Sequence, residues 1–356
     1  MKVLTVIGNR PQFIKAAAVS PRLREQHQEL LIHTGQHFDD DLSAVFFAEL
    51  GLPAPDRELG IALGSNTSQT GRMLSALEPV LAEEEPDAVL VYGDTNSTLA
   101  GALAGAQAGV PVAHVEAGMR SFDRSMPEEL NRVLSDHAAS LLLCSSDAAA
   151  SNLRREGVSG TVELVGDVMV DVAFKIQPLA RERIDLVQAR GLTPGEYLLA
   201  TAHRAGNVDD PARLAQLVRL MLEMPLTVVF ALHPRTRSRL EAAGLLGQLE
   251  RSERVVVTPP LGYIELTALL CQARALLTDS GGLQKEAYLA GVRCITLRGR
   301  TEWTETVQHG WNTLVDLDAG AALGALEREP PHEHPPLYGD GRAGERVVSA
   351  LTLLLR

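Results

Sequence analysis

Short apolar runs alternate with helical patterns along the whole chain. The candidate strands of the first half are VLTVIG (3–8), ELLIHT (29–34), AVLVYG (88–93), VPVAHV (110–115), SLLLCS (140–145) and TVELVG (161–166). After a gap come YLLATA (197–202), LTVVFAL (226–232), RVVVTP (254–259), RALLTD (274–279), VRCITL (292–297) and NTLVDL (312–317). Apolar residues fill most of each run rather than every second place. Strands of that kind are buried on both faces, which predicts parallel sheets covered by helices. Their alternation with helices predicts a doubly wound α/β architecture. The gap over 168–196 reads as a helix, a charged stretch and the turn LTPGE, and predicts a boundary between two Rossmann-like halves, 1–168 and 169–343. A final helix over 344–356 is expected to pack back on the first half. Before it, the Pro/His-rich stretch 330–341 reads as a connector with solvated histidines. No sequence repeat links the halves.

Composition narrows the function classes. A chain of 356 residues with 45% hydrophobic but only 4% aromatic content suits two domains with aliphatic cores. A net charge of −12 argues against nucleic acid as a partner, but not against an anion held in a local pocket. Cys144, Cys271 and Cys294 lie far apart in apolar runs, as core thiols of a reducing compartment do. No apolar run approaches a membrane span. The opening MKVLTVIGNRP has neither the basic region nor the long apolar core of a signal peptide, so a cytoplasmic location is expected. No spacing demands a metal, and no motif calls for a cofactor.

Polar residues cluster just after the strands: Arg10 after the first, Asp94, Glu116, then His203 with Arg204, His233, and Asp279 with Ser280. In a parallel sheet these points share one edge, where ligands bind. Two sheets with those edges turned toward a common cleft would line one site. LTDSGGLQKEA (277–287) is the most informative stretch. Amides at a helix start are unpaired and partly positive. Gly281 and Gly282 would let a phosphate reach them, Ser280 would add a hydroxyl, and Glu286, two turns in, would accept from ribose hydroxyls. The ordinary alternative is a helix capped by Asp279 or Ser280 with a tight glycine turn. Neither a P-loop nor the dinucleotide fingerprint is present.

Arg10 and Lys15 place two cations near one helix start in GNRPQFIK. Asp94 in GDTNST has a strong capping alternative, as does Thr95, but Glu116 stands one βα unit later and Glu128 follows in the loop MPEELNR. Carboxylates gathered at one site raise one another's pKa and support acid/base work. His203 and Arg204 in TAHRAGN would contact a diphosphate or move a proton, and HPRTR (233–237) is a basic loop for a second anion.

Taken together, GNRPQFIKAAAVSP, HTGQHFD, VYGDTNSTLAG, HVEAGMRSF, MPEELNR, VGDVMVD, AHRAGNVD, LHPRTR, LTDSGGLQKEA and TEWTETVQHGWN resemble the non-hydrolysing UDP-N-acetylglucosamine 2-epimerases. The resemblance covers nearly the whole chain. It implies a glycosyltransferase-B-like fold, often as a homodimer, and NAD-independent interconversion of UDP-N-acetylglucosamine and UDP-N-acetylmannosamine. UDP is eliminated to leave 2-acetamidoglucal, then re-added as C2 is protonated on the other face. It implies that Asp94, Glu116 and Glu128 carry proton chemistry or bind sugar, with Lys15 a further active-site position. His203, Arg10, Ser280 and Gly281 would hold the diphosphate, Glu286 the ribose, and Tyr263 would lie near the uracil. Gln36, His37 and His233 match the region where some members bind a second, activating UDP-sugar. Two departures stand out: Gly206 where a glutamate is frequent, and TEWTE (301–305), which is similar to enzymes acting on UDP-2,3-diacetamido-2,3-dideoxyglucuronate. A glycosyltransferase on the same fold is the rival of a different class.

Overall fold

The computed structural model describes residues 1–36, 47, 49–124 and 126–354. The chain divides into two compact units, the first made of Met1–Phe174 with Tyr338–Arg356, the second of Lys175–Leu337.

The first unit carries β1 (Lys2–Ile7), β2 (Gln28–His33), β3 (Arg57–Glu58), β4 (Ala88–Tyr92), β5 (Val112–Ala117), β6 (Leu141–Cys144) and β7 (Thr161–Leu164). Its described helices are α1 (Arg10–Gln26), α2 (Asn66–Glu84), α3 (Asn96–Gln107), α4 (Pro127–Ala138) and α5 (Asp147–Glu156), with α6 (Val168–Glu182) running into the second unit. There, β8 (Tyr197–Thr201), β9 (Thr227–Ala231), β10 (Val255–Thr258), β11 (Ala275–Thr278), β12 (Arg293–Thr296) and β13 (Asn312–Leu314) form the other sheet. Around it lie α7 (Ile184–Gln188), α8 (Ala205–Val208), α9 (Pro211–Glu223), α10 (Pro234–Ala242), α11 (Leu246–Glu250), α12 (Tyr263–Cys271), α13 (Gly281–Ala290), α14 (Thr304–Gln308) and α15 (Ala319–Glu327). The last helix, α16 (Ala343–Leu354), belongs to the first unit.

The strand orders are β3-β2-β1-β4-β5-β6-β7 and β10-β9-β8-β11-β12-β13, and the pairings are parallel. Both contain the 3-2-1-4-5-6 order of doubly wound nucleotide-binding folds. The halves are therefore topological repeats, although their sequences show no repeat. Each of the twelve predicted runs holds a strand. The unpredicted β3 is two residues long, too short for any periodicity to reveal.

Continuous apolar runs follow from burial on both faces. In β8, Leu198 and Ala200 join one core cluster with Val228, Phe230 and Leu277, whereas Tyr197 and Leu199 join another with Val229 and Leu276. Successive side chains point to opposite faces, so both faces need apolar residues. Each fully buried Val or Leu contributes about 1.5–3 kcal/mol relative to exposure. Among the described residues, no helix is long and apolar enough to cross a membrane.

Helix α16 docks on α1. Asp171 accepts hydrogen bonds from the amides of Ala343 (3.0 Å) and Gly344 (2.9 Å), capping the helix start. A Cβ at Gly344 would collide with the Ala18 carbonyl, so the two helices approach to backbone contact there. Within the 330–341 connector His334 is exposed, as expected, yet its ring also makes specific contacts. Its ring stacks on Tyr288 at 4.3 Å with Trp311 edge-on at 4.8 Å, and its Nε2 lies 2.6 Å from the Tyr288 carbonyl.

Gly344→Val is expected to destabilise the protein by about 1–3 kcal/mol through overpacking. Gly324→Ala, inside α15 with nothing near its missing Cβ, should be neutral or stabilise by about 0.4–1 kcal/mol. Urea unfolding of both variants checks the contrast.

Candidate active site

In each unit, β-strands that leave toward opposite faces of the sheet create a switch point at their carboxyl ends. In the first unit these are β1 and β4; in the second, β8 and β11. Lys15, Asp94 and Arg10 follow the first pair. His203, Arg204, Ser280, Gly281 and Gly282 follow the second.

In the first unit Asn9 caps α1, accepting from Gln12 N, and leaves Arg10 as the first helical residue. At the other loop Thr95, not Asp94, caps α3 in a reciprocal box with Thr98. The Asp94 carboxylate is thereby left for Arg132, whose Nε and terminal nitrogen donate to it at 3.0 and 2.6 Å. Arg132 also donates to Glu129 at 2.9 Å. Glu129, buried, accepts from Ser121 N, Ser121 Oγ and Phe122 N. Burial works against its charge, but these donors and Arg132 outweigh it and hold Glu129 below the usual carboxylate range. Glu128, its neighbour, is partly exposed in the first turn of α4.

Glu116 departs from its predicted place. The strand runs on past Val115, so Glu116 lies inside β5 at a bulge, with φ of 69°. A non-glycine residue there costs roughly 1–3 kcal/mol. The bulge aims its carboxylate at Lys15, with which it forms a partly buried ion pair. Gly93 accommodates that pair: its φ is 66°, and a Cβ would stand 2.9 Å from Lys15 Nζ. Gln36, read as part of a second binding region, spends its side-chain oxygen on α3, accepting from Ser97 N at 3.0 Å and Ser97 Oγ at 2.7 Å. His37 lies outside the described residues.

In the second unit the division of labour repeats. Ser280 caps α13, and Asp279, fully buried, turns back. It accepts from His203 N (3.0 Å), Arg204 N (3.0 Å) and Asn207 Nδ2 (3.0 Å), pinning the HRAGN loop to the end of β11. His233 caps α10 and stands beside His203, ring centroids 5.4 Å apart. Burial, more than any other cause, lowers the His203 pKa; Arg204, His233 and Arg235 add to this and Asp279 opposes it. Gly281 and Gly282 start α13 without positive φ. A Cβ at either would meet nothing closer than 3.6 Å. The fold itself therefore has no need of glycine at 281 or 282, although glycine costs a helix up to about 1 kcal/mol. Glu286 and Tyr263 are buried on α13 and at the start of α12. The TEWTE segment packs on the same helix start: Trp303 Nε1 donates to the Gly281 carbonyl at 2.8 Å, and Lys285 Nζ lies 4.6 Å over the Trp303 ring.

Sequence reasoning missed Gly93, His114, Glu129, Asn131, Arg132 and Asp136. The legible signal was His114, a polar residue in a strand buried on both faces, which must have partners.

Two parallel-sheet units of dinucleotide-fold order, each with a polar switch point, define an α/β protein of the glycosyltransferase-B type. The family model described as UDP-N-acetylglucosamine 2-epimerase matches residues 22–352, and the chain belongs to that family. It is 43% identical over 354 residues, 99% of both chains, to the UDP-N-acetylglucosamine 2-epimerase homolog of Methanococcus maripaludis. It is 45% identical over 366 residues, covering 99% of this chain and 100% of the relative, to the UDP-2,3-diacetamido-2,3-dideoxy-D-glucuronate 2-epimerase of Pseudomonas aeruginosa. The crystal structure of Methanocaldococcus jannaschii UDP-GlcNAc 2-epimerase in complex with UDP-GlcNAc and UDP superposes with a TM-score of 0.91. Identity is 39%, and 99% of this chain and 100% of that one are covered.

Gly93→Ala is expected to destabilise by about 1–3 kcal/mol, since it adds backbone strain and intrudes on the Lys15–Glu116 pair. Gly282→Ala should leave stability within about 0.5 kcal/mol, or raise it. Denaturant midpoints of the two variants decide.

Proposed function

We propose that the protein is a non-hydrolysing 2-epimerase that interconverts UDP-N-acetylglucosamine and UDP-N-acetylmannosamine. The observation that carries this reading is the α13 start, where two glycines have no role in packing. Bare amides with a partial positive charge suit a pyrophosphate. Ser280, His203, Arg204 and Arg10 add donors, and Glu286 takes the ribose hydroxyls. The epimerase must hold UDP while the C1–O bond is broken, so an anion grip is part of the chemistry. In the first unit Asp94, Glu116 and Glu128 move the C2 proton, and Lys15 holds the Glu116 carboxylate. Removing that proton expels UDP and leaves 2-acetamidoglucal; returning UDP to C1 and a proton to the other face of C2 gives the epimer. The reading also takes the protein as a cytoplasmic homodimer that supplies cell-surface polysaccharide synthesis. Free, buried thiols at Cys144, Cys271 and Cys294 support a reducing setting.

A second substrate reading, the UDP-2,3-diacetamido-2,3-dideoxyglucuronate, is favoured by the 45% identity to the Pseudomonas aeruginosa enzyme and by TEWTE packed on the α13 start. Side-by-side turnover of the two sugars separates them.

In heavy water the product should carry deuterium at C2 with no nicotinamide and no acceptor added. Retention of the original hydrogen would defeat the reading. Asp94→Asn should lose ~100-fold or more in rate. Gly282→Ala should cost a charge-assisted hydrogen bond of about 1.5–3 kcal/mol, roughly ten- to a hundredfold in UDP affinity, without loss of stability.

His203 gives a pH test. Its pKa is lowered, so the ring is neutral near pH 7. A bound diphosphate favours the imidazolium and draws in a proton. Affinity for the UDP-sugar should therefore rise as pH falls below neutrality, until the lowered pKa of the free ring is passed. Calorimetry in two buffers of different ionisation heat should show proton uptake in the wild type and none in His203→Asn.

A further inference from the structure

Three successive backbone carbonyls where β4 ends are each paired with a buried side chain from a different element. Gln12 Nε2, on α1, donates to Tyr92 O at 2.9 Å. His114 Nε2, on β5, lies 2.7 Å from Gly93 O. Asn131 Nδ2, on α4, donates to Asp94 O at 3.0 Å. None of the three residues is more than 6% exposed.

Each clamp is itself held. Gln12 Oε1 accepts from Gly8 N at 2.7 Å, tying this turn to the loop after β1. Asn131 Nδ2 also reaches Asn96 Oδ1 at 3.2 Å. His114 Nδ1 lies 2.7 Å from Asp136 Oδ1, and both residues are fully buried. The second Asp136 oxygen accepts from Gly118 N at 3.1 Å and from Arg120 at 2.7 Å. Both ring nitrogens of His114 therefore face oxygen atoms, one on Asp136 and one on the Gly93 carbonyl. Burial works against the Asp136 charge, but His114 and Arg120 outweigh it and hold its carboxyl below the usual range.

Tyr92 and Gly93 are buried, so their carbonyls need protein partners, and here those partners come from separate elements. Three attachments on consecutive peptides fix the path of the turn. On that turn stand the Asp94 carboxylate and Gly93, which abuts the Lys15–Glu116 pair. A displacement of about 1 Å in a reacting group can cost roughly a hundredfold in rate.

We propose that His114, backed by Asp136, and Asn131 are positioning residues for the proton transfer. They act through the Gly93–Asp94 backbone. The proposal rests on the reading of Asp94 as a group that works on the sugar.

The full-length variants His114→Ala, His114→Gln, Asn131→Ala, Asp94→Asn and Asp171→Ala test it. Asp171→Ala uncaps α16 in the same unit, removing bonds to Ala343 and Gly344 rather than to the turn, and serves as the control for plain destabilisation. The readouts are kcat, KM, UDP affinity and thermal midpoint, with whichever of the two UDP-sugars turns over faster. His114→Ala should lose ~100-fold and Asn131→Ala ~10-fold in kcat, with UDP affinity within about twofold of wild type. His114→Gln, which keeps a donor toward Gly93 O, should regain at least about tenfold over His114→Ala. Asp171→Ala should lower the midpoint and keep kcat. If the His114 and Asn131 variants keep kcat as Asp171→Ala does, while Asp94→Asn is inactive, positioning is overturned and the epimerase reading stands. Full turnover in Asp94→Asn overturns the role of Asp94 and the proposal with it. If His114→Ala does not fold, His114→Gln and Asn131→Ala carry the decision.

Discussion

Peptide groups at the carboxyl edge of a parallel sheet run out of ladder partners, and side chains must take their place. The two units meet this constraint with opposite chemistry. After β4 the unsatisfied groups are carbonyls, and donors from α1, β5 and α4 reach them. After β8 they are amides, and the Asp279 carboxylate at the end of β11 collects them. In both places an acidic residue is followed by a hydroxyl residue that caps the next helix, Asp94 by Thr95 and Asp279 by Ser280. Relieved of capping, Asp94 stays at the surface of its unit with an arginine, whereas Asp279 is consumed by the loop. The same local grammar thus yields a reactive group in one unit and a scaffold in the other.

Glycine and strain are distributed to match. Gly93 is demanded by its own backbone and by Lys15 behind it, and Glu116 holds a costly conformation so that its carboxylate meets that lysine. At the α13 start the opposite holds, since nothing inside the fold asks for glycine. Conformational cost is concentrated where the proposed proton chemistry needs geometry, and a helix-propensity cost where the proposed grip needs bare amides.

Much of this was legible in the sequence. Twelve apolar runs announced twelve strands because burial on both faces leaves no polar alternation to obscure them. The strand-end positions of Asp94, His203 and Ser280 followed from the same pattern. What stayed hidden depends on which backbone group lacks a partner. Nothing local in PEELNR tells that Asn131 and Arg132 serve Asp94, or that Glu129 rather than Glu128 is buried. The bulge that places Glu116 inside β5 shifts the strand end by two residues, below the resolution of an apolar run. The choice between Asp94 and Thr95 as a cap is likewise a contest between neighbours that only geometry decides.

The return of α16 to α1 makes the first unit discontinuous in sequence, whereas the second is one continuous stretch. The seat on α1 precedes the second unit and its occupant follows it, so residues 175–337 must be synthesised before Gly344 can meet Ala18. The continuous unit has no such dependence and can fold as its own sequence emerges. The half that holds Asp94 and Glu116 is thereby tied to sequence on both sides of its neighbour.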